Sequence, residues 1–394
     1  MKSIIKFISR ERKIIFLIVI WKIAVISIAF LAISLLPFNE TVFRSNFVYP
    51  KSQKITLFSS LKTWDAQHFL YLSEVGYKPD QISNGFYPLY PITIKILTFI
   101  TRNSFLSAMI LSNVYSLIAL MLFYSFVKSL KGESAAFYAT VLFMLFPTGF
   151  YLNIIYSEAL FIMLCVGFFF YLYRKNYLLA SIFALFAPLA RSIGLFVVVP
   201  LFVFLFLQHK KGKLVIVPTF NYPLKFRLHL EYLWLIFPVF GYFLNFLYMY
   251  LMTGDLFAQY SAYKHFVGDY SVLNILNIPL FFQNLFGTTL VLHGLTNSFL
   301  DRVFFAFFIL MIPVVYRKVD RTLFSFYVIL GFVPFFGSFL GYMRYLLPAF
   351  PLYIALGEIF SKKKYSLGFY SYIFVSHSMQ VILLILYALS HWVS

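Results

Sequence analysis

The side chains best suited to chemistry are concentrated in residues 63–91, a polar stretch in an otherwise apolar chain. Asp65 and His68 stand three residues apart, so a helix would present both to the same space, with Tyr71 beside that face. A carboxylate in a partly dry pocket can act as a general base, and His68 could orient it or touch a substrate. The alternative is an interfacial helix in which Asp65 is solvated, Trp64 anchors the membrane edge and His68 makes only a local hydrogen bond.

Two arginines stand at junctions between apolar runs further along the chain. Arg191 lies in Ala190-Arg191-Ser192, and Arg344 precedes Tyr345 in a similar setting. Arginine grips phosphate through its planar fork of N–H donors, which favours a site for a phosphate-linked substrate. The alternative is that these arginines snorkel to lipid headgroups.

Glu158 follows Tyr156-Ser157 at the start of an apolar run. An acid in that position is costly unless it is paired or faces a cavity, so it is a candidate for substrate binding. A purely structural alternative is equally open. Glu158 suits the positive end of a helix, with Ser157 as the N-cap.

The elements that must position these residues are membrane helices. The chain has 394 residues, of which 62% are hydrophobic and 11% charged, with long apolar runs separated by small basic clusters. This pattern predicts an all-α, polytopic membrane protein in a single domain, 1–394. A membrane β-barrel would instead show alternating segments of roughly ten residues. The net charge of +19 lies at the ends of the apolar runs, where it serves topology and contact with lipid headgroups, so nucleic acid is not an expected partner.

A topology with a cytoplasmic N-terminus, marked by Lys2, Lys6 and Arg10, places most basic clusters inside. The expected spans, about eleven, are 14–36, 105–127, 135–150, 157–173, 177–190, 193–208, 231–251, 302–316, 322–340, 345–360 and 367–390. Residues 37–87 then form a long first external loop. The apolar stretch 88–101 is too short to span and should be an interfacial half-helix. Residues 252–300 remain open between an outer loop with interfacial helices around 272–287 and a hidden hairpin.

Conventional cofactor motifs are missing from the sequence. There is no HExxH, P-loop or GxGxxG pattern, and His265 has no partner at a metal-ligand spacing. We therefore expect no metal and no cofactor. Cys165, the sole cysteine, lies within an apolar run and is expected to be a small buried residue.

Several motifs together resemble the PIG-V family, the mannosyltransferases that add the second mannose in GPI-anchor assembly, and their prokaryotic relatives. The first runs Trp64-Asp65-Ala66-Gln67-His68-Phe69-Leu70-Tyr71-Leu72-Ser73-Glu74-Val75-Gly76-Tyr77, followed by Asn84-Gly85-Phe86-Tyr87-Pro88-Leu89-Tyr90-Pro91. The others are Tyr156-Ser157-Glu158-Ala159-Leu160-Phe161, Ala190-Arg191-Ser192 with Gly194, and Arg344-Tyr345 with Pro348.

The resemblance implies a GT-C glycosyltransferase fold and inverting transfer of mannose from a polyprenyl- or dolichyl-phosphate mannose, without a required metal. It implies Asp65 as the catalytic base. The substrate-binding residues we expect are Trp64, His68, Tyr71, Tyr87, Tyr156, Glu158, Arg191, Ser192, Arg344 and Tyr345.

Other features of the function stay open at this point. Typical eukaryotic members carry an acid where this chain has Gln67, so the acceptor is a GPI precursor or another glycolipid or cell-surface glycan. The expected location is the cell membrane of a prokaryote or the endoplasmic reticulum membrane of a eukaryote, with the active site on the external or luminal face. The alternative function is a transporter or flippase of lipid-linked sugars, although such proteins usually show internal repeats.

Overall fold

The computed structural model describes residues 11–209, 217–218, 223–224, 230–267, 274, 276–287, 291–292, 298–336 and 339–393. Three residues of the expected basic N-terminus, Lys2, Lys6 and Arg10, lie outside the described residues. The described chain is nearly all helical. The only strands in it are a two-residue antiparallel pair, β1 (Val217–Pro218) and β2 (Pro223–Leu224).

The α-helices follow one another in the order α1 Arg12–Leu35, α2 Glu40–Ser45, α3 Asp65–Glu74, α4 Leu89–Thr101, α5 Ser104–Lys131, α6 Glu133–Met144, α7 Glu158–Leu172, α8 Tyr177–Ala190, α9 Val198–His209, α10 Ile236–Thr253, α11 Ala258–Val267, α12 Ile278–Phe286, α13 Phe299–Lys318, α14 Arg321–Gly331, α15 Tyr342–Leu346, α16 Pro351–Phe360 and α17 Ser366–Ala388. Short 3₁₀ turns join them at Leu57–Leu61, Ile82–Gly85, Gly149–Leu152, Ser192–Val197, Leu230–Leu235, Val333–Phe336 and Lys363–Tyr365.

The predicted class, a polytopic all-α membrane protein, is confirmed. Among the described residues, six helical stretches are long and apolar enough to cross a membrane: Arg12–Leu35, Ser104–Lys131, Ser192–His209, Leu230–Thr253, Phe299–Lys318 and Lys363–Ala388. A helix suits this setting because it satisfies its own backbone hydrogen bonds where no water is available. Six further apolar helices are shorter, and the count of eleven spans stays a prediction.

The shorter helices differ in shape from the continuous spans expected from the sequence. The stretch expected as 345–360 is divided between α15 and α16, and the stretch expected as 322–340 ends as a helix at Gly331. The stretch 88–101 forms α4, which packs against α5, and its position in the membrane interface stays a prediction. Its 13 residues give it a length of about 20 Å, less than a bilayer core.

The segment 145–157, between α6 and α7, is irregular although it is almost entirely buried inside the bundle. Its polar backbone groups therefore need partners from neighbouring helices. Gln380 donates hydrogen bonds to two carbonyls at the start of the break, both at 2.8 Å. The ammonium group of Lys22 donates to the side chain of Asn153 at 3.0 Å. These contacts hold the break in place, and the break leads directly into Glu158.

The helix ends fall into two sets. At one end of the bundle, Lys128 pairs with Glu11 at 2.9 Å, while Lys131 and Lys318 both pair with Glu358. The sequence predicts these ends to be cytoplasmic, and that assignment stays a prediction. The opposite end carries α3, α11 and α15, which meet around one cavity.

Candidate active site

Asp65 is the first residue of α3 and lines a cavity of about 380 Å³. The preceding Trp64 has a φ of +53°, a left-handed backbone conformation that bulky residues rarely adopt. Its indole Nε1 donates to the carbonyl of His391 at 3.1 Å, and its ring packs edge-on to Trp392. Backbone strain of this kind persists only where surrounding contacts over-determine it, and it clusters at functional sites. The contacts of Trp64 therefore fix where α3 begins and where Asp65 stands.

Four charged side chains from four distant segments form one network at the cavity. Arg344 Nη1 donates to Oδ2 of Asp65 at 2.8 Å, and Arg344 Nε lies 3.3 Å from Oε1 of Glu158. Arg191 Nη1 also donates to Oε1 of Glu158. Charges therefore alternate in the order Asp65, Arg344, Glu158, Arg191. None of these side chains is more than 20% exposed, so water screens their attraction less than it screens a surface pair.

The two guanidinium groups stay positively charged in this setting. Burial acts to lower the pKa of Arg344, but the carboxylates of Asp65 and Glu158 outweigh it and raise the pKa well above its usual range. The pKa of Arg191 is raised against burial in the same way, chiefly by Glu158. Because two acids face two arginines, the network is neutral as a whole.

Aromatic rings support both arginines. The guanidinium carbon of Arg344 lies 5.5 Å from the ring centre of Tyr151 and 5.4 Å from that of Tyr156. The corresponding carbon of Arg191 lies 5.1 Å from the ring of Tyr345. Cations are attracted to the negative faces of such rings, so these contacts help to orient the guanidinium groups of the two arginines.

Two glycines allow the arginine-bearing turns to form. Gly341 begins the turn into α15 with a φ of +65°, which favours glycine, and Arg344 follows three residues later. A Cβ atom on Gly194 would lie 2.2 Å from the carbonyl carbon of Ala187, so only glycine lets the turn after Arg191 pack on α8. This packing gives a physical reason for Gly194 in the Ala190-Arg191-Ser192 motif.

The structure brings most of the expected site residues to one place. The expected residues that line the cavity are Trp64, Asp65, His68, Tyr87, Arg191, Ser192, Arg344 and Tyr345. The hydroxyl groups of Tyr87 and Ser192 interact at its edge. Segments as far apart in the chain as α3 and α15 thus contribute to a single cavity.

Three expected substrate-binding residues lie outside the cavity. Tyr71 follows Asp65 by six positions, which turns it about 120° away around α3, and it packs against Phe47. Tyr156 and Glu158 are each 2% exposed and lie beneath the arginines. Glu158 begins α7 as expected, but the side chain of Ser157, at the N-cap, accepts no capping hydrogen bond from the helix backbone. Glu158 is instead the shared counter-ion of the two arginines.

His68 is a buried, neutral residue. Its Nδ1 lies 2.9 Å from the hydroxyl of Ser83, and its ring is stacked between Phe47 and Phe86, with centroids at 4.2 and 4.6 Å. Burial lowers the pKa of His68 to about 3. The contact with Ser83 is the local hydrogen bond that the sequence suggested as an alternative role for His68. The uncharged ring forms part of the cavity wall but cannot neutralise a phosphate.

Helix α11 contributes residues for which the sequence gives little signal. Tyr263, His265 and Phe266 line the cavity from the segment that the sequence left open, and the hydroxyl of Tyr263 lies 3.3 Å from that of Tyr345. Among the described residues of that segment, α11 and α12 are both too short to span a membrane, as expected for an outer loop. His265 was the only visible hint, because aromatic residues are common throughout this chain.

Asp301 was also not expected at the site. It lies in the first turn of α13, is 1% exposed, and accepts a hydrogen bond from the backbone N–H of Met343 at 2.9 Å. This hydrogen bond fixes the backbone of Met343, the residue that precedes Arg344. The sequence places Asp301 merely at the start of a span, so its role becomes visible only when α13 and α15 are seen together.

Comparison with known proteins agrees with the motifs. A family model described as Mannosyltransferase (PIG-V) matches residues 1–269. A GPI alpha-1,6-mannosyltransferase 2 from Cricetulus griseus is 31% identical over 116 residues, which cover 27% of this chain and 23% of that protein. The chain thus matches less than a quarter of this relative's length.

A solved structure of the Archaeoglobus fulgidus oligosaccharyltransferase, with a tethered acceptor peptide, is also similar. It has a TM-score of 0.42 and 13% identity, and the similarity covers 94% of this chain but 55% of that one. The family assignment comes instead from the family model, which covers more than half of the 394 residues and includes Asp65, Glu158 and Arg191. The resemblance drawn from the motifs is therefore confirmed, and the chain belongs to the PIG-V mannosyltransferase family, a family of membrane glycosyltransferases.

Proposed function

We propose that this protein transfers mannose from a polyprenyl- or dolichyl-phosphate mannose to a glycolipid or cell-surface glycan, with Asp65 as the general base. The observation that carries the proposal is the ion pair between Asp65 and Arg344 at the edge of one cavity, with Arg191 beside it. A base next to phosphate-binding groups is what displacement of a sugar from a phosphate requires. Family membership supports mannose as the sugar and the GT-C arrangement as the fold.

In the proposed step, an acceptor hydroxyl attacks the anomeric carbon from the face opposite the phosphate. The hydroxyl proton passes to the carboxylate of Asp65 as the new carbon–oxygen bond forms. The bond from the anomeric carbon to the phosphate oxygen breaks, and its electron pair leaves with the phosphate. The leaving phosphate needs positive charge and no proton, and Arg191 and Arg344 can supply that charge. A β-linked donor would give an α-mannoside, in keeping with the alpha-1,6 activity in the relative's name.

The charge balance of the network suggests how the donor would enter. Both arginines are already neutralised, so a phosphate must displace a carboxylate from one of them. Asp65 is 20% exposed whereas Glu158 is 2% exposed, which makes Asp65 the partner more easily replaced. A phosphate that takes over Arg344 would thereby release Asp65 to accept a proton. Glu158 would stay in place and hold both guanidinium groups, a positioning role in place of the substrate contact expected from the sequence.

The direct test is transfer of radiolabelled mannose by the purified protein in lipid nanodiscs. We expect transfer to a lipid acceptor extract from polyprenyl-phosphate mannose and none from GDP-mannose, because the resemblance to the family implies a lipid-phosphate donor. Replacing Arg191 with Ala should raise the KM for the donor more than that for the acceptor. Equal use of GDP-mannose, or an unchanged donor KM, would contradict the proposed donor.

The second candidate function is a transporter or flippase of lipid-linked sugars. The described polar residues of the network gather at one end of the bundle, which favours an enzyme over a transport path. The same nanodisc assay separates the two functions. A transporter would form no new glycosidic bond there, whereas in liposomes it would move the labelled lipid between leaflets.

The site is proposed to face the cell exterior in a prokaryote, or the lumen of the endoplasmic reticulum in a eukaryote. Lys128 and Lys131, two of the basic residues predicted inside, lie at the end of the bundle opposite the cavity, which supports this orientation.

A further inference from the structure

A second cavity of about 370 Å³ adjoins the first one. Gly85, Tyr87, Ser192 and Tyr263 line both cavities, so the two cavities share a boundary. The proposed transfer has two substrates, and the network of Asp65 and the arginines accounts for the phosphate of only one of them. The second cavity therefore calls for an occupant of its own.

The wall of the second cavity excludes a charged occupant. None of its described lining residues is an Asp, Glu, Lys, Arg or His. Most of the wall is aromatic, with rings from Tyr242, Phe246, Tyr260 and Phe336. A phosphate would find no counter-charge there. The occupant must be neutral, which leaves a sugar ring or an apolar chain.

Two buried amides distinguish between these occupants. Asn245 is 2% exposed and Gln259 is 8% exposed, and both line the cavity. The amide nitrogen of Asn245 donates to Gln259, whose own amide nitrogen donates to the carbonyl of Gly85 at 3.5 Å. The carbonyl oxygen of Asn245 has no hydrogen-bond partner among the described residues. A buried acceptor left unpaired is costly, and an apolar chain could not relieve that cost whereas a sugar hydroxyl could.

We propose that the second cavity binds a pyranose ring of the acceptor, with Asn245 receiving a hydroxyl hydrogen bond and the aromatic rings packing against the sugar's C–H faces. This inference rests on the proposed function for its assignment to the acceptor. From this cavity, a hydroxyl of the acceptor would extend past Tyr87 and Ser192 toward Asp65.

The test is binding of tritiated octyl α-D-mannopyranoside to the full-length protein in lipid nanodiscs free of alkyl glycoside detergent. We expect unlabelled octyl mannoside to displace the label and octyl tetraethylene glycol, which has no sugar, to leave it bound.

Asn245→Leu should weaken binding about tenfold, as expected for one lost hydrogen bond. Tyr260→Ala removes a half-exposed ring of the wall and should also weaken it. Tyr250→Ala removes an exposed ring of α10, the helix of Asn245, that does not line the cavity; it is the matched control and should bind as the parent does.

Two results would overturn the inference. One is parent-like binding by both Asn245→Leu and Tyr260→Ala, and the other is equal competition by the sugar-free amphiphile, which would identify an apolar-chain site. In the transfer assay, Asn245→Leu should raise the KM for the acceptor and leave the donor KM unchanged, and the reverse pattern would place the donor here. If the parent protein binds the mannoside through Asn245 but transfers no mannose, the proposed reaction is contradicted and the sugar-binding site is still supported.

Discussion

Asp65 and Glu158 have the same kind of side chain and both pair with Arg344, yet their surroundings suit them to different roles. Asp65 lines the cavity and is partly exposed, so a substrate can reach it. Glu158 is buried between two guanidinium groups, where its charge is compensated and its position is fixed. The sequence marked both acids as candidates, but it could not separate the roles because neither burial nor pairing across 279 positions is visible in a local motif.

The buried side chain of His68 should make the stability of the protein depend on pH. Its pKa is about 3 in the folded protein and about 6.5 in an unfolded chain, so the unfolded state binds a proton first as the pH falls. The contribution of His68 to the free energy of unfolding should therefore be fully present above pH 6.5, and it should decrease as the pH drops toward 3. The decline is about 1.4 kcal/mol for each pH unit.

The measurement is the unfolding free energy of the parent and of His68→Gln between pH 7 and pH 4.5. Glutamine keeps a partner for Ser83 and does not titrate, and all other groups are common to both proteins. The parent should lose about 2–3 kcal/mol more than the variant over this range. Parallel curves would show that His68 is protonated as easily in the folded protein as in the unfolded chain.

At the scale of elements, the sequence predicted helices reliably and breaks poorly. Apolar runs in the sequence mark the six helical stretches that are long enough to cross a membrane, because an apolar segment in a bilayer must satisfy its backbone by forming a helix. The sequence places a break between the spans expected at 135–150 and 157–173, but α6 ends earlier, at Met144, just before Pro147 and Gly149. The break depends on Gln380 and Lys22, which lie in other helices. The α11 residues of the site were missed for a similar reason, since they reach it only through tertiary packing.

The element-scale prediction is that Gln380 stabilises the break before α7. Its side chain bonds two carbonyls of the break and accepts from the indole of Trp21 at 3.2 Å. Gln380→Leu would leave these groups buried without partners, at a cost on the order of 1–3 kcal/mol for each. Thermal unfolding in nanodiscs should show a clear loss of stability, together with reduced transfer because the break leads into Glu158. Ile382→Ala, a lipid-facing change two positions away, is the control, and equal effects from both variants would contradict the role of Gln380.

At the scale of the whole molecule, the convergence of α3, α7, α8 and α15 on one end of the bundle agrees with the topology predicted from basic clusters. That topology predicts Asp65, Glu158, Arg191 and Arg344 at the same membrane face without using any contact between them. It could not predict the alternating order of their charges, which depends on how the helices are arranged around one another.

The orientation can be tested with single cysteines. Cys165, the one cysteine of the chain, is fully buried in α7. A Cys165→Ala variant therefore has no cysteine of its own, and single cysteines can be introduced into it one at a time. A membrane-impermeant maleimide should label Lys51→Cys, in the first loop, in intact cells or sealed vesicles of known orientation. Lys363→Cys, at the opposite end, should be labelled only after permeabilisation. The reverse pattern would place the candidate active site on the cytoplasmic face.

The most direct measurement for the central claim compares Asp65→Asn with Asp80→Asn in the mannose transfer assay. Both changes replace a carboxylate with an amide in the first loop, but Asp80 is exposed and does not line the cavity. We expect Asp65→Asn to lose about 10²–10⁴-fold in rate, the contribution typical of a general base, while Asp80→Asn keeps the parent rate. Both variants should express and fold, and their thermal stability is measured alongside because Asp65→Asn leaves Arg344 with Glu158 as its remaining carboxylate partner in the network. A folded Asp65→Asn protein that transfers mannose as fast as the parent would contradict the account.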